Sequence, residues 1–239
     1  MILVPTVLFL ATLIRSSIGF GEALVAVPLL ALLLPVKVAA PVAVMASVTV
    51  AFLIVLQDWR HVHARAALRL LLPSLLGIPV GLTILRLGAE PAIKAVLAVL
   101  LIGFSLFSVL HGRRRELRDD RFAWLFGFGA GVLGGAYGMN GPPLAIYGSL
   151  RGWPPQQFRA TLQGYFLPAS LAGLCSYWLA GLWTAAVSRY YLWSLPSIVA
   201  ATVCGRVVNR RLAAGKFGVY VYGGLIAIGA ILLAQVALA

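Results

Sequence analysis

Apolar residues run along this chain in long blocks, and most polar residues collect in the links between them. Reading for apolar runs and helix breakers gives eight segments: Leu3 to Leu34, Val38 to Leu56, Ala66 to Leu87, Ala92 to Leu110, Phe122 to Leu150, Thr161 to Trp183, Tyr190 to Val208 and Phe217 to Ala239. Apolar runs such as Val38 to Leu56, Ile93 to Leu110, whose one charge is Lys94, and Phe217 to Ala239 are each close to the roughly 20 residues that a spanning helix needs. The pattern predicts an all-α polytopic membrane protein.

Two segments break the rule. Leu3 to Leu34 is interrupted at Arg15 to Gly21, leaving pieces too short to span, yet as one helix it would be about 48 Å long. Phe122 to Leu150 is interrupted at Gly134 to Pro143, the run GGAYGMNGPP, where no water would satisfy an unpaired backbone. A re-entrant hairpin, entering the membrane and returning to the same side, fits both.

The two halves align when the second is slid back by 120 residues: Gly21 meets Gly141, Leu24 meets Leu144, Pro35 meets Pro155 and Ala40 meets Ala160. After a short insertion, Leu72-Pro73-Ser74 meets Leu195-Pro196-Ser197. The expected organisation is a first membrane repeat over 1–110, a basic linker over 111–121 and a second membrane repeat over 122–239, each repeat opening on its broken segment.

Composition fixes the class and charge fixes the orientation. With 62% hydrophobic and 10% charged residues and a mean hydropathy of +0.98, the chain of 239 residues reads as membrane-embedded. The net charge of +13 would suggest nucleic acid in a soluble protein, but nearly all of it lies in the links, so no nucleic-acid partner is expected. If all eight segments span, the basic residues of the links divide evenly. With two hairpins, only Lys37, Arg86, Lys94 and Arg189 fall on one side, and the other fourteen share the opposite side. The positive-inside rule prefers the second arrangement, with the linker cytoplasmic, but letting Leu3 to Leu34 span keeps the same division and only moves the N-terminus. Treating the two halves alike then puts both termini outside and makes the repeats inverted. No basic leader precedes the first run and no signal peptide is read. Cys175 and Cys204 lie in apolar segments and say nothing about redox compartment.

A half-helix that starts inside the membrane aims its free N–H groups and positive dipole end at the interior, which makes an anion site. The glycines at the breaks would let backbone approach a ligand, and Pro142 and Pro143 suit a first helical turn. Packing glycines are the alternative explanation. The candidate substrate-binding set is Arg15, Ser17, Gly19, Gly21, Tyr137, Asn140, Gly141, Thr161, Gln163 and Tyr165, with Ser16, Ser47 and Thr49 nearby. Arg15 and Glu22 are charges inside a broken segment, where each needs a partner or a wet cavity. Arg15 would hold an anion and Glu22 would carry a coupling proton, or the two pair across the turn.

Gly19-Phe20-Gly21-Glu22-Ala23-Leu24 with Val27-Pro28-Leu29-Leu30, and then GGAYGMNGPPLAIYGSLRGWP leading into FRATLQGYF, resemble the two signature regions of the TauE/SafE family of predicted membrane permeases. Phe20 and Glu22 depart from the family's commoner run of glycines. The resemblance covers essentially the whole chain and implies export of sulfite or another small sulfur-containing or organic anion across the cytoplasmic, or inner, membrane. The implied partners are that anion and the lipid bilayer; no cofactor or metal is expected, and a homo-oligomer stays open.

An enzyme is not expected. The six acidic residues, Glu22, Asp58, Glu90, Glu116, Asp119 and Asp120, offer no paired intramembrane aspartates, and His61, His63 and His111 lie in or beside links. A passive anion channel would use the same converging hairpins, and a membrane subunit without transport activity is the third alternative.

Overall fold

The computed structural model describes residues 2–18, 20–58, 64–110, 120–153, 155–211 and 214–238. These form ten α-helices: α1 Leu3–Ile18, α2 Glu22–Ala31, α3 Val36–Asp58, α4 Ala64–Leu87, α5 Glu90–Leu110, α6 Ala123–Tyr137, α7 Gly141–Leu150, α8 Pro155–Leu179, α9 Ala185–Arg211 and α10 Ala214–Ala237. The two interrupted segments are the pairs α1–α2 and α6–α7. The last three helices begin several residues earlier than their apolar runs: Pro155, with its preset φ, opens α8, and Thr184 caps α9 by accepting the Val187 N–H at 3.4 Å. Most of the expected linker, residues 111–119, lies outside the described residues.

Among the described residues, Val36–Ile54, Ala66–Leu87 and Glu90–Leu110 are long and apolar enough to cross a membrane. Many large apolar side chains among the described residues face outward, while a small set of polar groups is buried. Leu76, Leu87, Val99, Leu110 and Trp193 are exposed, whereas Thr12, Arg15, Glu22, Ser47, Asn140 and Thr161 are buried. This inversion is what lipid in place of water selects. Exposed Trp124 and Trp178, near helix ends, suit the boundary between lipid and water.

Contacts order the helices about two faces. The turn between α4 and α5 marks one face, and α3 starts there, because the Glu90 carboxylate accepts the Val36 N–H at 2.7 Å and Lys37 donates to the Arg86 carbonyl at 3.0 Å. The end of α5 and the start of α6 mark the other. Helix α6 runs parallel to α4: Gly127 lies on Leu70, Gly131 on Ser74 and Gly135 on Ile78. Helix α7 then folds back, since Tyr147 near its end meets Phe126 near the start of α6 with ring centroids 5.4 Å apart.

The first broken pair does the same from the opposite face. Helix α8 crosses from the end of α7, and α9 returns from the α4–α5 face. Helix α1 runs parallel to α9, its first turns beside Trp193 and Ser197 and its Leu13 and Ser16 against Gly205. Because α2 leads within a short turn to the start of α3, it ends on the face from which α1 began. The two helix pairs therefore start from opposite faces of the bundle and meet tip to tip, with Phe20 of one 3.7 Å from where a Cβ on Gly141 of the other would sit.

Each tip is made by one glycine that no other residue replaces without strain. Gly21 before α2 has φ 98°, and Gly138 after α6 has φ 68°, both left-handed. At Gly138 the chain reverses with its N–H on the Gly134 carbonyl and that of Met139 on Leu133, which satisfies two carbonyls that would otherwise be orphaned.

Candidate functional site

Hydroxyls in these helices are mostly satisfied by the carbonyl four residues back: Thr6, Ser17, Thr49, Thr83, Ser108, Ser176, Ser194 and Thr202 all bond this way. Against that background the buried polar atoms with no partner stand out, among them Arg15 Nε and Nη2, Asn140 Oδ1 and Thr161 Oγ1. Two of these residues, Arg15 and Asn140, line one cavity between the hairpin tips.

That cavity is about 20 Å³, room for one or two waters. Its walls include Arg15, Gly21, Glu22 and Ser47 from one side and Asn140, Gly141, Phe166 and Ser170 from the other. Arg15, in the last turn of α1 and only 2% exposed, donates from Nη1 to Glu22 Oε2 at 2.6 Å and to Ser47 Oγ at 2.6 Å. Thr12 donates to Glu22 Oε1 at 2.8 Å. Phe166 lies beneath the guanidinium, its ring centre 5.1 Å from Cζ. The pairing of Arg15 with Glu22 across the turn is therefore realised, and it leaves the Nε and Nη2 edge of the guanidinium free of protein partners.

Backbone donors reach the same cavity unequally. Helix α2 opens with Glu22, Ala23 and Leu24, whose N–H groups are unclaimed by the helix, because the first intrahelical bond runs from Val25 to the Gly21 carbonyl at 3.1 Å. Helix α7 opens with Gly141, Pro142 and Pro143, and the two prolines have no N–H to give. Its first turn thus offers Gly141 alone, and α2 is the stronger anion-facing terminus.

Of the residues singled out from sequence, Arg15, Gly21, Glu22, Ser47, Asn140 and Gly141 come together at the cavity. Tyr137 instead bonds the Ile93 carbonyl at 2.9 Å, Ser17 bonds the Leu13 carbonyl at 2.7 Å, and Tyr165 pairs with Ser74. Thr161 is fully buried one turn before Tyr165. Thr49 bonds Tyr191 rather than the site. Gly19 and the Gln163 side chain lie outside the described residues. Sequence reasoning missed Thr12, Phe166 and Ser170. The last two share a helix face by their spacing of four, but nothing in the sequence says which neighbour that face meets.

A helical bundle with an apolar exterior, and a charged pair held inside it where two broken helices meet, defines a multi-pass membrane protein with an interior polar site. The family described as Sulfite exporter TauE/SafE matches residues 4–232, and the chain belongs to that family. No curated protein and no solved structure matches the chain. Members of this family are membrane transporters, so the protein is a transporter and not an enzyme.

Proposed function

We propose that this protein exports a small anion, sulfite or another sulfur-containing or organic anion, across the inner membrane, and that the anion binds where the hairpin tips meet. The observation that carries the reading is the free Nε and Nη2 edge of a buried arginine beside the opening turn of α2. A buried guanidinium with two unfilled donors needs an acceptor, and a planar fork suits an oxyanion. The sulfur comes from the family alone. Room for only one or two waters supports a carrier that must open to admit its substrate, rather than a standing channel.

In this reading the two helical pairs are re-entrant hairpins opening inverted repeats, 1–110 and 122–239. The packing supports it: exchanging the first five helices for the last five turns α1 on α9 into α6 on α4, and α3 on α9 into α8 on α4, while α3 on α8 and α5 on α10 map to themselves. The same reading makes 111–121 cytoplasmic. A cysteine placed in this link should resist a membrane-impermeant thiol reagent in intact cells; labelling from outside would overturn the topology.

The test of function is sulfite flux into proteoliposomes of purified protein, with sulfate and a sulfonate as competitors. Saturable sulfite movement is expected. Flux of a competitor without sulfite would discard the substrate and keep the site, and no flux of any anion would discard both. Asn140→Leu should insert normally and lower flux about tenfold, the scale of one polar contact in a closed site. Wild-type rates in that variant would remove Asn140 from the site.

A further inference from the structure

The resting site already holds an anion of its own. The Glu22 carboxylate stands in the first turn of α2, 2.6 Å from Arg15 and 2.8 Å from Thr12, with its side chain 1% exposed. It thus sits at the same helix terminus and on the same guanidinium that the proposed anion site assigns to the substrate.

Charge balance then constrains how a substrate enters. With Glu22 ionised, Arg15 is already neutralised, and an added anion leaves uncompensated negative charge in a low-dielectric interior, which is strongly unfavourable. With Glu22 protonated, the arriving anion takes over as counter-ion to Arg15 and the charge of the site is conserved. The protonated carboxyl keeps a partner, because the Thr12 hydroxyl both donates and accepts.

We propose that Glu22 is a tethered counter-anion that takes up one proton when the transported anion binds, so that anion and proton move together. The inference rests on the anion site proposed above. The proton comes from water on the side the anion enters, resides on the Glu22 carboxylate, and leaves on the other side when Glu22 pairs again with Arg15; no covalent bond is made or broken. One proton per cycle is expected, because the positions matching Arg15 and Glu22 in the second half are Gly135 and Pro142.

The surroundings leave Glu22 as the group that changes charge. Helix α2 packs on α1, α3, α5, α7 and α10. On α3, Lys37 is engaged with the Arg86 carbonyl at the bundle face, and Asp58 ends the helix. On α5, Glu90 and Lys94 lie 3.9 Å apart at the helix start. Tyr147 of α7 stacks with Phe126 and Trp153, and Tyr222 of α10 meets Phe104. Lys216 and Tyr220 stand in the first turns of α10. Among the described residues, Arg15 is the charged partner that Glu22 meets.

The experiment measures sulfite uptake into proteoliposomes from external pH 6 to 8, with rates normalised to the sulfite species present. Wild-type uptake should rise toward acid by up to about tenfold per pH unit, the limit for one linked proton. Glu22→Gln should show no such rise, and Glu22→Asp, which keeps a carboxylate, should retain it. Should Glu22→Gln fail to insert, the wild-type and Glu22→Asp profiles decide. A flat wild-type profile, a Glu22→Gln profile with the wild-type rise, or a flat Glu22→Asp profile overturns the proposal while leaving the anion site standing. Absence of any sulfite or competitor flux in wild type overturns the anion reading itself.

Discussion

Replacing Arg15 by Ala is expected to be the most damaging single change in the molecule. The substitution strands the Glu22 carboxylate, 2% exposed, with Thr12 as its remaining partner. Removing one member of a buried ion pair costs about 3–5 kcal/mol of stability, so thermal unfolding of the purified protein in detergent should drop sharply. Transport should fall more than 100-fold, because the two free guanidinium donors disappear and a pair of charged hydrogen bonds is worth about 3 kcal/mol or more. The double variant Arg15→Gln with Glu22→Gln separates the two effects. A neutral amide pair can stay hydrogen-bonded, so stability should largely return while flux does not. If flux also returns, Arg15 is a structural residue and the anion site lies elsewhere.

The second large effect is expected at Gly131. A Cβ there would overlap the Ser74 carbonyl oxygen, and equivalent overlaps await Gly135 at Ile78, Gly77 at Phe128 and Gly81 at Val132. Small residues let α4 and α6 touch backbone to backbone, a packing that supplies association in lipid where the hydrophobic effect between helices is absent. Gly131→Ala must push these helices apart, at about 1–3 kcal/mol for an overpacked contact. It should also shift the Gly138–Gly141 tip and lower anion flux. Gly129→Ala is the control: nothing lies within 4 Å of its added carbon, and leaving the same helix free of one glycine should raise stability by up to about 1 kcal/mol. Equal melting temperatures for the two variants would remove the close contact as a source of stability.

The glycine contact also bears on how firmly each helix pair is held. Helix α6 is fixed to α4 by glycines over its whole length, whereas the described contacts of α1 with α9 include one glycine, Gly205, against Ser16. The second hairpin is thus the more firmly held wall of the site, and the first carries the charges.

Much of this fold was legible as sequence because lipid simplifies the rules. A chain with uncharged runs of about 20 residues has to be helical where it crosses, since only an internally bonded backbone tolerates hydrocarbon. The breaks at Arg15 to Gly21 and Gly134 to Pro143 were equally plain, because glycine and proline mark the places where a helix must stop. Two opposite charges inside one break made a pairing of Arg15 with Glu22 one of the two readings open to the sequence, and the structure realises it.

Partners distant in the chain were not legible. Tyr137 lies within the second break and Tyr165 follows it on α8, yet their hydroxyls turn to Ile93 and to Ser74. Phe166 and Ser170 complete the cavity because α8 crosses at the hairpin tips. A periodic pattern says which residues share a face, but the face a helix meets is set by packing of the whole bundle.

The sequence by itself determined the helical membrane class, the eight apolar segments with two of them broken, the family, and two opposite charges within the first break. Only the tertiary structure decided that the two tips meet, that Arg15 keeps an unfilled edge there, and that the α7 terminus offers one backbone donor where α2 offers three. The reason is range: breaks and charges act through bonds and solvent transfer along the chain, whereas a binding site is the coincidence of surfaces that only close packing brings together.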